Sequence, residues 1–149
     1  MEKQFSHFPM FVNLEGKNVV VFGAGNIAIR RVLSLLNTGC NITVVAPQIL
    51  DQFYNIKNIN IIKDKYDKKY LKNAFMVLAI TKYSKINDTI YNHCKQQNII
   101  INVASDKQKC DFFFPGVIYK DGYTVGICGN GKNHKLIKNI TDKIRNFLQ

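Results

Sequence analysis

One short pattern constrains the fold of this chain more than any other feature, the run Gly23-Ala24-Gly25-Asn26-Ile27-Ala28. It follows an apolar, β-branched run at 17–22 and opens a helical pattern at 26–38, which Gly39 terminates. Glycine at the first position allows a tight turn, and glycine at the third lets a pyrophosphate approach the backbone. Alanine at the sixth allows close packing of the helix. The pattern predicts a dinucleotide-binding strand–turn–helix, and a tight turn without a ligand is the alternative.

Apolar runs separated by helical or polar segments extend this unit into a sheet. The predicted strands cover residues 17–22, 42–46, 59–62, 75–80 and 99–103. A second helix is predicted at 84–97, where Ile86, Ile90 and Cys94 recur every four residues. Buried strands that alternate with helices are typical of a parallel sheet. The sequence therefore predicts an α/β fold, a Rossmann-type doubly wound parallel sheet.

The pattern changes after Pro115. Two β-rich runs flank Asp121-Gly122, which is a strong signal for a hairpin turn, and an amphipathic helix is predicted from about Lys132 to Leu148. A hairpin and one helix bury little surface alone, so they must pack on the first domain or on another subunit. The predicted domains are an NAD(P)-binding Rossmann domain at 1–114 and a small hairpin-and-helix region at 115–149.

Charge and hydropathy narrow the classes of partner. The chain carries 21 Lys and Arg against 10 Asp and Glu, a formal net charge of +11. This excess attracts polyanions, but the basic residues are dispersed and no nucleic-acid-binding motif accompanies them. No apolar run reaches the ~18 residues of a membrane helix. We therefore expect a cytoplasmic protein that binds neither nucleic acid nor membrane, and a multiply carboxylated small molecule remains a possible partner.

The cysteines and histidines do not predict a metal site. A zinc site needs ligand pairs at close spacing, and the chain has no CxxC pair. The residues concerned are Cys40, Cys94, Cys110, Cys128, His7, His93 and His134. We expect reduced thiols and no bound metal.

Polar residues follow the predicted strands at the edge where a doubly wound sheet binds its ligand. Thr81 follows the fourth strand, and the candidates after the fifth are Asn102, Ser105, Asp106, Lys107 and Asp111. The second strand lacks the usual ribose-binding acid, because Pro47 and Gln48 stand there. No Lys or Arg directly follows Pro47 to bind a 2′-phosphate, which favours NAD without excluding NADP.

Residues 9–47 resemble the start of the precorrin-2 dehydrogenase/sirohydrochlorin ferrochelatase family, and they read PMFVNLEGKNVVVFGAGNIAIRRVLSLLNTGCNITVVAP. Later segments are also similar to that family, CDFFFPGVI at 110–118 and TVGI at 124–127. The resemblance implies NAD-dependent oxidation of precorrin-2 to sirohydrochlorin and a homodimer formed through 115–149. It also implies that the cofactor contacts Gly23, Ala24, Gly25, Asn26, Ile27, Pro47, Gln48 and Thr81.

Two positions differ from the family pattern. The family aspartate after the fifth strand aligns with Ser105, and Asp106 stands one place later. The family's Ser-Thr segment reads Cys128-Gly129-Asn130-Gly131. Because hydride removal also requires loss of a proton, Asp106 and Ser105 are the catalytic candidates. A dehydrogenase, a bifunctional dehydrogenase/ferrochelatase and a non-catalytic dinucleotide-binding sensor or partner protein remain as alternatives.

Overall fold

The fold divides into two compact units, which are seen in a computed structural model that describes residues 7–131 and 133–149. One unit is Asn13–Phe112, and the other combines the described residues before Asn13 with Phe113–Gln149. In the described part of the chain, no helix is both long enough and apolar enough to cross a membrane.

The larger unit is built on a five-stranded parallel sheet. Its strands are β1 (Asn18–Phe22), β2 (Asn41–Val45), β3 (Ile59–Ile62), β4 (Met76–Ala79) and β5 (Ile100–Val103). They lie in the order β3-β2-β1-β4-β5, and every neighbouring pair is parallel. The order reverses between β1 and β4, which is the switch point where doubly wound sheets bind ligands. The predicted fold class is confirmed.

Two α-helices cover opposite faces of this sheet, α1 (Asn26–Leu35) and α2 (Ser84–Gln96). Ile90 and Cys94 of α2 pack in one buried cluster with Phe22 and Val77. Asn102 is paired with Leu78, the residue after Val77, so it points to the other face, where Arg31 of α1 donates a hydrogen bond to it. Side chains alternate along each strand, so both faces of the sheet are buried.

The predicted first helix is shorter than expected. It ends at Leu35, and a 3₁₀ turn, Leu36–Thr38, leads to Gly39 at φ +72°. The connections on either side of β3 also contain 3₁₀ turns, Asp51–Asn55 and Lys68–Leu71, and no α-helix. Each of these turns inserts one apolar side chain into the core, and these side chains are Phe53 and Leu71.

The smaller unit contains the predicted hairpin and helix. Its elements are β6 (Gly116–Lys120), β7 (Tyr123–Ile127) and α3 (His134–Phe147). Asp121 and Gly122 form the turn with φ of +46° and +83°. Asn133 caps α3 by accepting a hydrogen bond from the backbone N–H of Leu136, 2.9 Å away. The predicted starting point of this helix, Lys132, lies outside the described residues.

Candidate functional site

Gly23 lies where the backbone leaves β1 and passes close to the next strand. Its φ is +110°, a conformation that L side chains rarely adopt, and a Cβ there would lie 2.4 Å from the carbonyl oxygen of Ile80. Its backbone N–H also donates to the carbonyl oxygen of Val45, 3.0 Å away. Only glycine fits this turn, which links the ends of three strands.

Gly25 has a different environment. A Cβ at this position would meet no atom within 4 Å, so open space lies beside the backbone. Gly25 is the N-cap of α1, and no side chain caps the helix. The first intrahelical bond runs from Ile29 N–H to the Gly25 carbonyl oxygen, which leaves the N–H groups at the start of the first turn for a ligand. Open space beside unpaired N–H groups and a positive helix end fits a dinucleotide pyrophosphate.

The end of β2 lies beside this glycine loop. The backbone N–H of Leu50 donates to the carbonyl oxygen of Ala24, 3.2 Å away, and this bond holds the segment after Pro47 against the loop. Pro47 and Gln48 are both exposed, as is Ile27 in the first turn of α1. The predicted cofactor contacts on β1, α1 and β2 therefore lie together at one edge of the sheet.

The ends of β4 and β5 are joined by a hydrogen-bonded cluster of Thr81, Asn87 and Ser105. Asn87, on α2, accepts from the N–H of Thr81 at 3.1 Å and from its hydroxyl at 2.7 Å. Its amide nitrogen donates to the Thr81 carbonyl oxygen at 3.0 Å and to Ser105 Oγ at 3.3 Å. Two predicted site residues are thus brought together through a third side chain. We call the residues that directly follow β1, β2, β4 and β5 the carboxyl edge.

Asp106 has partners in its own loop. One carboxylate oxygen accepts from the backbone N–H of Gln108 at 3.0 Å, capping the 3₁₀ turn Lys107–Lys109. The other lies 3.6 Å from the ammonium group of Lys109, which also pairs with Asp88. The side chain of Asp106 is about one-third exposed, at 38%. Of the two catalytic candidates, Ser105 contacts Asn87 and so joins the cluster with Thr81. Asp106 contacts the adjacent 3₁₀ turn instead.

Asn102 and Asp111 hold the β5 region together. Asn102 accepts a hydrogen bond from Arg31 and donates to the Phe112 carbonyl oxygen at 2.8 Å. Burial lowers the pKa of Arg31, an effect partly offset by the nearby Cys110. Asp111 accepts from the N–H of Ile101 at 3.0 Å and pairs with Lys95. These two candidates stabilise the sheet, whereas Lys107 is exposed in the loop.

The cysteines are all unpaired thiols, and burial disfavours the reactive thiolate form of two of them. Burial raises the pKa of Cys94 to about 12 and also raises the pKa of Cys110. The thiol of Cys110 donates to the carbonyl oxygen of Val103 at 3.2 Å and so closes the loop after β5. Within residues 7–131 and 133–149, no three His, Cys, Asp or Glu side chains are grouped to hold a metal ion.

Sequence reasoning missed Asn87. It lies three residues before Ile90 and seven before Cys94, so it belongs to the buried stripe of α2. A polar residue at a buried position of a helix needs a hydrogen-bonding partner. The place of Asn87 in the apolar stripe was therefore the sequence signal that could have identified it.

Comparison with known proteins identifies the family. The model of a family described as "Putative NAD(P)-binding" matches residues 10–116. A probable multifunctional siroheme biosynthesis protein of Ruminiclostridium josui is 36% identical over 97% of this chain. The siroheme synthase of Baumannia cicadellinicola is 32% identical over 95% of it. The chain covers only 29% and 31% of these two relatives, so it spans about three-tenths of their length.

A solved structure shows the same fold. It is titled SirC, precorrin-2 dehydrogenase, and it superposes with a TM-score of 0.76 at 23% sequence identity. The match covers 95% of this chain and 71% of that one. The shared architecture therefore includes the small hairpin-and-helix unit as well as the sheet.

Proposed function

This chain belongs to the NAD(P)-binding family whose model spans residues 10–116, and on that premise we propose that it oxidises precorrin-2 to sirohydrochlorin with NAD as electron acceptor. The observation that carries this proposal is the similarity to siroheme-synthesis proteins, which extends over 97% of the chain. The fold shared with a protein titled precorrin-2 dehydrogenase supports it. A glycine loop shaped for a pyrophosphate supports the choice of cofactor.

We propose that the dinucleotide lies across the carboxyl edge. The pyrophosphate would be held by Gly23, Ala24, Gly25, Asn26 and Ile27. Pro47 and Gln48 would contact the adenosine ribose, and Thr81 would lie towards the nicotinamide. No basic side chain directly follows Pro47, which favours NAD over NADP. When bound, NAD supplies the ring carbon that accepts a hydride.

The proposed oxidation removes one hydride and one proton from the tetrapyrrole, so a proton acceptor is needed beside the substrate. We propose Asp106 as this general base. Its oxygen nearer Lys109 would take the proton, since the other oxygen accepts the hydrogen bond from Gln108. Ser105 precedes Asp106 in the same exposed loop and would contact the substrate.

The experiment is an anaerobic assay of the purified protein with freshly prepared precorrin-2 and NAD⁺, following NADH and sirohydrochlorin. We expect the two products in equal amounts. Asp106→Asn should lower kcat at least about a hundredfold and leave NAD affinity unchanged. Asparagine keeps an oxygen that can accept from Gln108, so the turn should survive. Asp51→Asn, at an exposed aspartate in the turn after β2, is the matched control.

Each alternative predicts a different result. Bound NAD without turnover would favour a non-catalytic dinucleotide-binding module. The observation that favours this alternative is that both carboxylate oxygens of Asp106 already have partners, the Gln108 N–H and the Lys109 ammonium. Fe²⁺ insertion into sirohydrochlorin by the same preparation would indicate the bifunctional enzyme. Normal turnover of Asp106→Asn would remove Asp106 as the base.

We further propose that the chain works as a cytoplasmic homodimer. The smaller unit supports this assembly, because Ile118 and Thr141 are its buried residues among those described, while Phe8, Phe11 and Phe147 are exposed. Several large apolar side chains exposed in one small unit are typical of an interface between subunits. A second copy of this chain is the partner that we expect to cover them.

A further inference from the structure

Asn87 is almost completely buried, at 1% exposure, although it carries a polar side chain. A buried amide is costly unless its hydrogen-bonding capacity is used. Asn87 uses all of it, because its oxygen accepts two hydrogen bonds from Thr81 and its nitrogen donates two, to the Thr81 carbonyl oxygen and to Ser105 Oγ. The side chain therefore fixes the end of β4 relative to the loop after β5.

The orientation of this amide follows from chemistry. The backbone N–H of Thr81 can only donate, so the atom of Asn87 that it contacts must be the oxygen. The nitrogen then faces the Thr81 carbonyl oxygen, which can only accept, and Ser105. Exchanging the two amide atoms would set donor against donor and acceptor against acceptor.

This orientation determines the role of the Ser105 hydroxyl. Because Ser105 Oγ accepts from Asn87, its own O–H is available to donate to a different group. Ser105 is exposed, and it follows β5 at the end of the row β2-β1-β4-β5. The glycine loop follows β1, and Thr81 follows β4, so the β5 position lies beyond the proposed nicotinamide end, where the substrate would stand.

The exposed lysines in the loops after β4 and β5 favour an anionic acceptor, because the adjacent carboxylate of Asp106 is itself paired with Lys109. Lys107 is exposed two residues after Ser105, and Lys82 is exposed directly after Thr81. Lys82 lies over the ring of the exposed Tyr83, with its ammonium 5.2 Å from the ring centre. Two cations and an O–H donor on one edge suit a carboxylate.

We propose that Asn87 is a positioning residue that holds the Ser105 hydroxyl as a hydrogen-bond donor to a carboxylate of the tetrapyrrole substrate. The inference rests on the proposed function and adds to it a determinant of substrate binding. Asn87 acts only through Ser105 and Thr81, whereas Ser105 contacts the substrate.

The test measures KM and kcat for precorrin-2, together with NAD affinity, in four variants. Ser105→Ala removes the hydroxyl, and Asn87→Asp keeps the acceptor oxygens but removes the donor. The double variant measures their coupling, and Ser105→Thr restores a hydroxyl. Ser34→Ala, at a serine whose hydroxyl donates to the Arg30 carbonyl oxygen within α1, is the control.

We expect Ser105→Ala and Asn87→Asp each to raise the KM for precorrin-2 about tenfold, with NAD affinity unchanged within about twofold. The double variant should be no worse than the poorer single variant, because both changes remove one interaction. Ser105→Thr should recover most of the loss. If Asn87→Asp lowers the melting temperature strongly, the exposed Ser105 pair, Ala and Thr, tests the contact with the substrate, and the KM of Asn87→Asp measured well below its melting temperature tests the positioning role.

Several outcomes would overturn the inference. Independent effects that multiply in the double variant would show that Asn87 does not act through Ser105. Weaker NAD binding with an unchanged KM for precorrin-2 would assign the hydroxyl to the cofactor. Absence of NAD-dependent turnover in the wild-type protein would refute the proposed function itself and this inference with it. An active wild type with normal Ser105→Ala kinetics would refute the inference alone.

Discussion

Gly23 and Gly25 are glycine for different physical reasons. At Gly23 the fold itself leaves no space, since a Cβ would lie 2.4 Å from the Ile80 carbonyl oxygen and φ is +110°. At Gly25 the fold leaves open space, which the proposed pyrophosphate would fill. Substitution at Gly23 should therefore affect mainly folding, and substitution at Gly25 should affect mainly NAD binding.

We predict that Gly23→Ala lowers the free energy of unfolding by about 2–3 kcal/mol, because strained backbone and overpacking act together.

Gly25→Val should leave the melting temperature nearly unchanged and weaken NAD binding at least about a hundredfold, as its side chain fills the pyrophosphate space. Thermal unfolding and isothermal titration with NAD measure the two effects. Normal NAD affinity in Gly25→Val would contradict the assignment of the site.

At the residue scale, the sequence predicted the shape of the glycine loop better than the contacts of the loop after β5. Gly23 and Gly25 belong to a short contiguous pattern that can be recognised in the sequence, although the close approach of Gly23 to Ile80 is itself tertiary. Asn87 and Ser105 meet only because α2 packs beside the ends of β4 and β5, and that contact is tertiary. The partners of Asp106 depend on a short 3₁₀ turn, and no periodic sequence pattern predicts such a turn.

The connection from β3 to β4 depends on a short element with a single buried anchor. It crosses the sheet with only the 3₁₀ turn Lys68–Leu71, and Leu71 is 1% exposed within the cluster that contains Phe22 and Ile90. A short 3₁₀ turn has little stability of its own. Leu71 is therefore the fully buried anchor of this connection, and the partly buried Tyr66, Tyr70 and Ala74 pack against the same cluster.

We predict that Leu71→Ala lowers the free energy of unfolding by about 2–5 kcal/mol, because it leaves a cavity in this cluster. Lys72→Ala, at the exposed neighbouring position, should change it by less than about 0.5 kcal/mol. Urea unfolding followed by circular dichroism provides both values. Equal effects at the two positions would mean that the turn is held by its backbone rather than by Leu71.

Elements with strong periodicity were predictable, and their ends were less so. The five strands appear within one or two residues of their predicted bounds, because buried parallel strands are continuous apolar runs. The first helix ends at Leu35 instead of Thr38, since its final turn tightens to 3₁₀ before Gly39. The polar segments around β3 carry no helical stripe, and they contain no α-helix in the structure.

At the scale of the whole molecule, the smaller unit exposes large apolar side chains that a second subunit would cover. Phe147, at the end of α3, is 88% exposed. We predict that Phe147→Asp gives a monomer, or a dimer weakened at least about tenfold, in light-scattering chromatography, because a charge would enter the apolar interface. Asn146→Asp makes the same charge change at an exposed polar neighbour and should leave the dimer intact. A dimer retained by both variants would exclude this end of α3 from the interface.

The net charge of +11 gives a last test, because it acts on the substrate before any contact forms. A polycarboxylated substrate should be attracted to the chain, and salt screens such attraction over about 8 Å at physiological ionic strength. We predict that kcat/KM for precorrin-2 falls severalfold as salt rises from about 0.05 to 0.5 M, and that the KM for NAD changes less.

Lys107→Glu and Lys57→Glu lower the net charge equally, but Lys107 lies at the carboxyl edge and Lys57 precedes β3 at the opposite edge. Lys107→Glu should therefore show the larger loss at low salt, and the difference should vanish at high salt. Equal losses would mean that the overall charge, rather than the carboxyl edge, attracts the substrate.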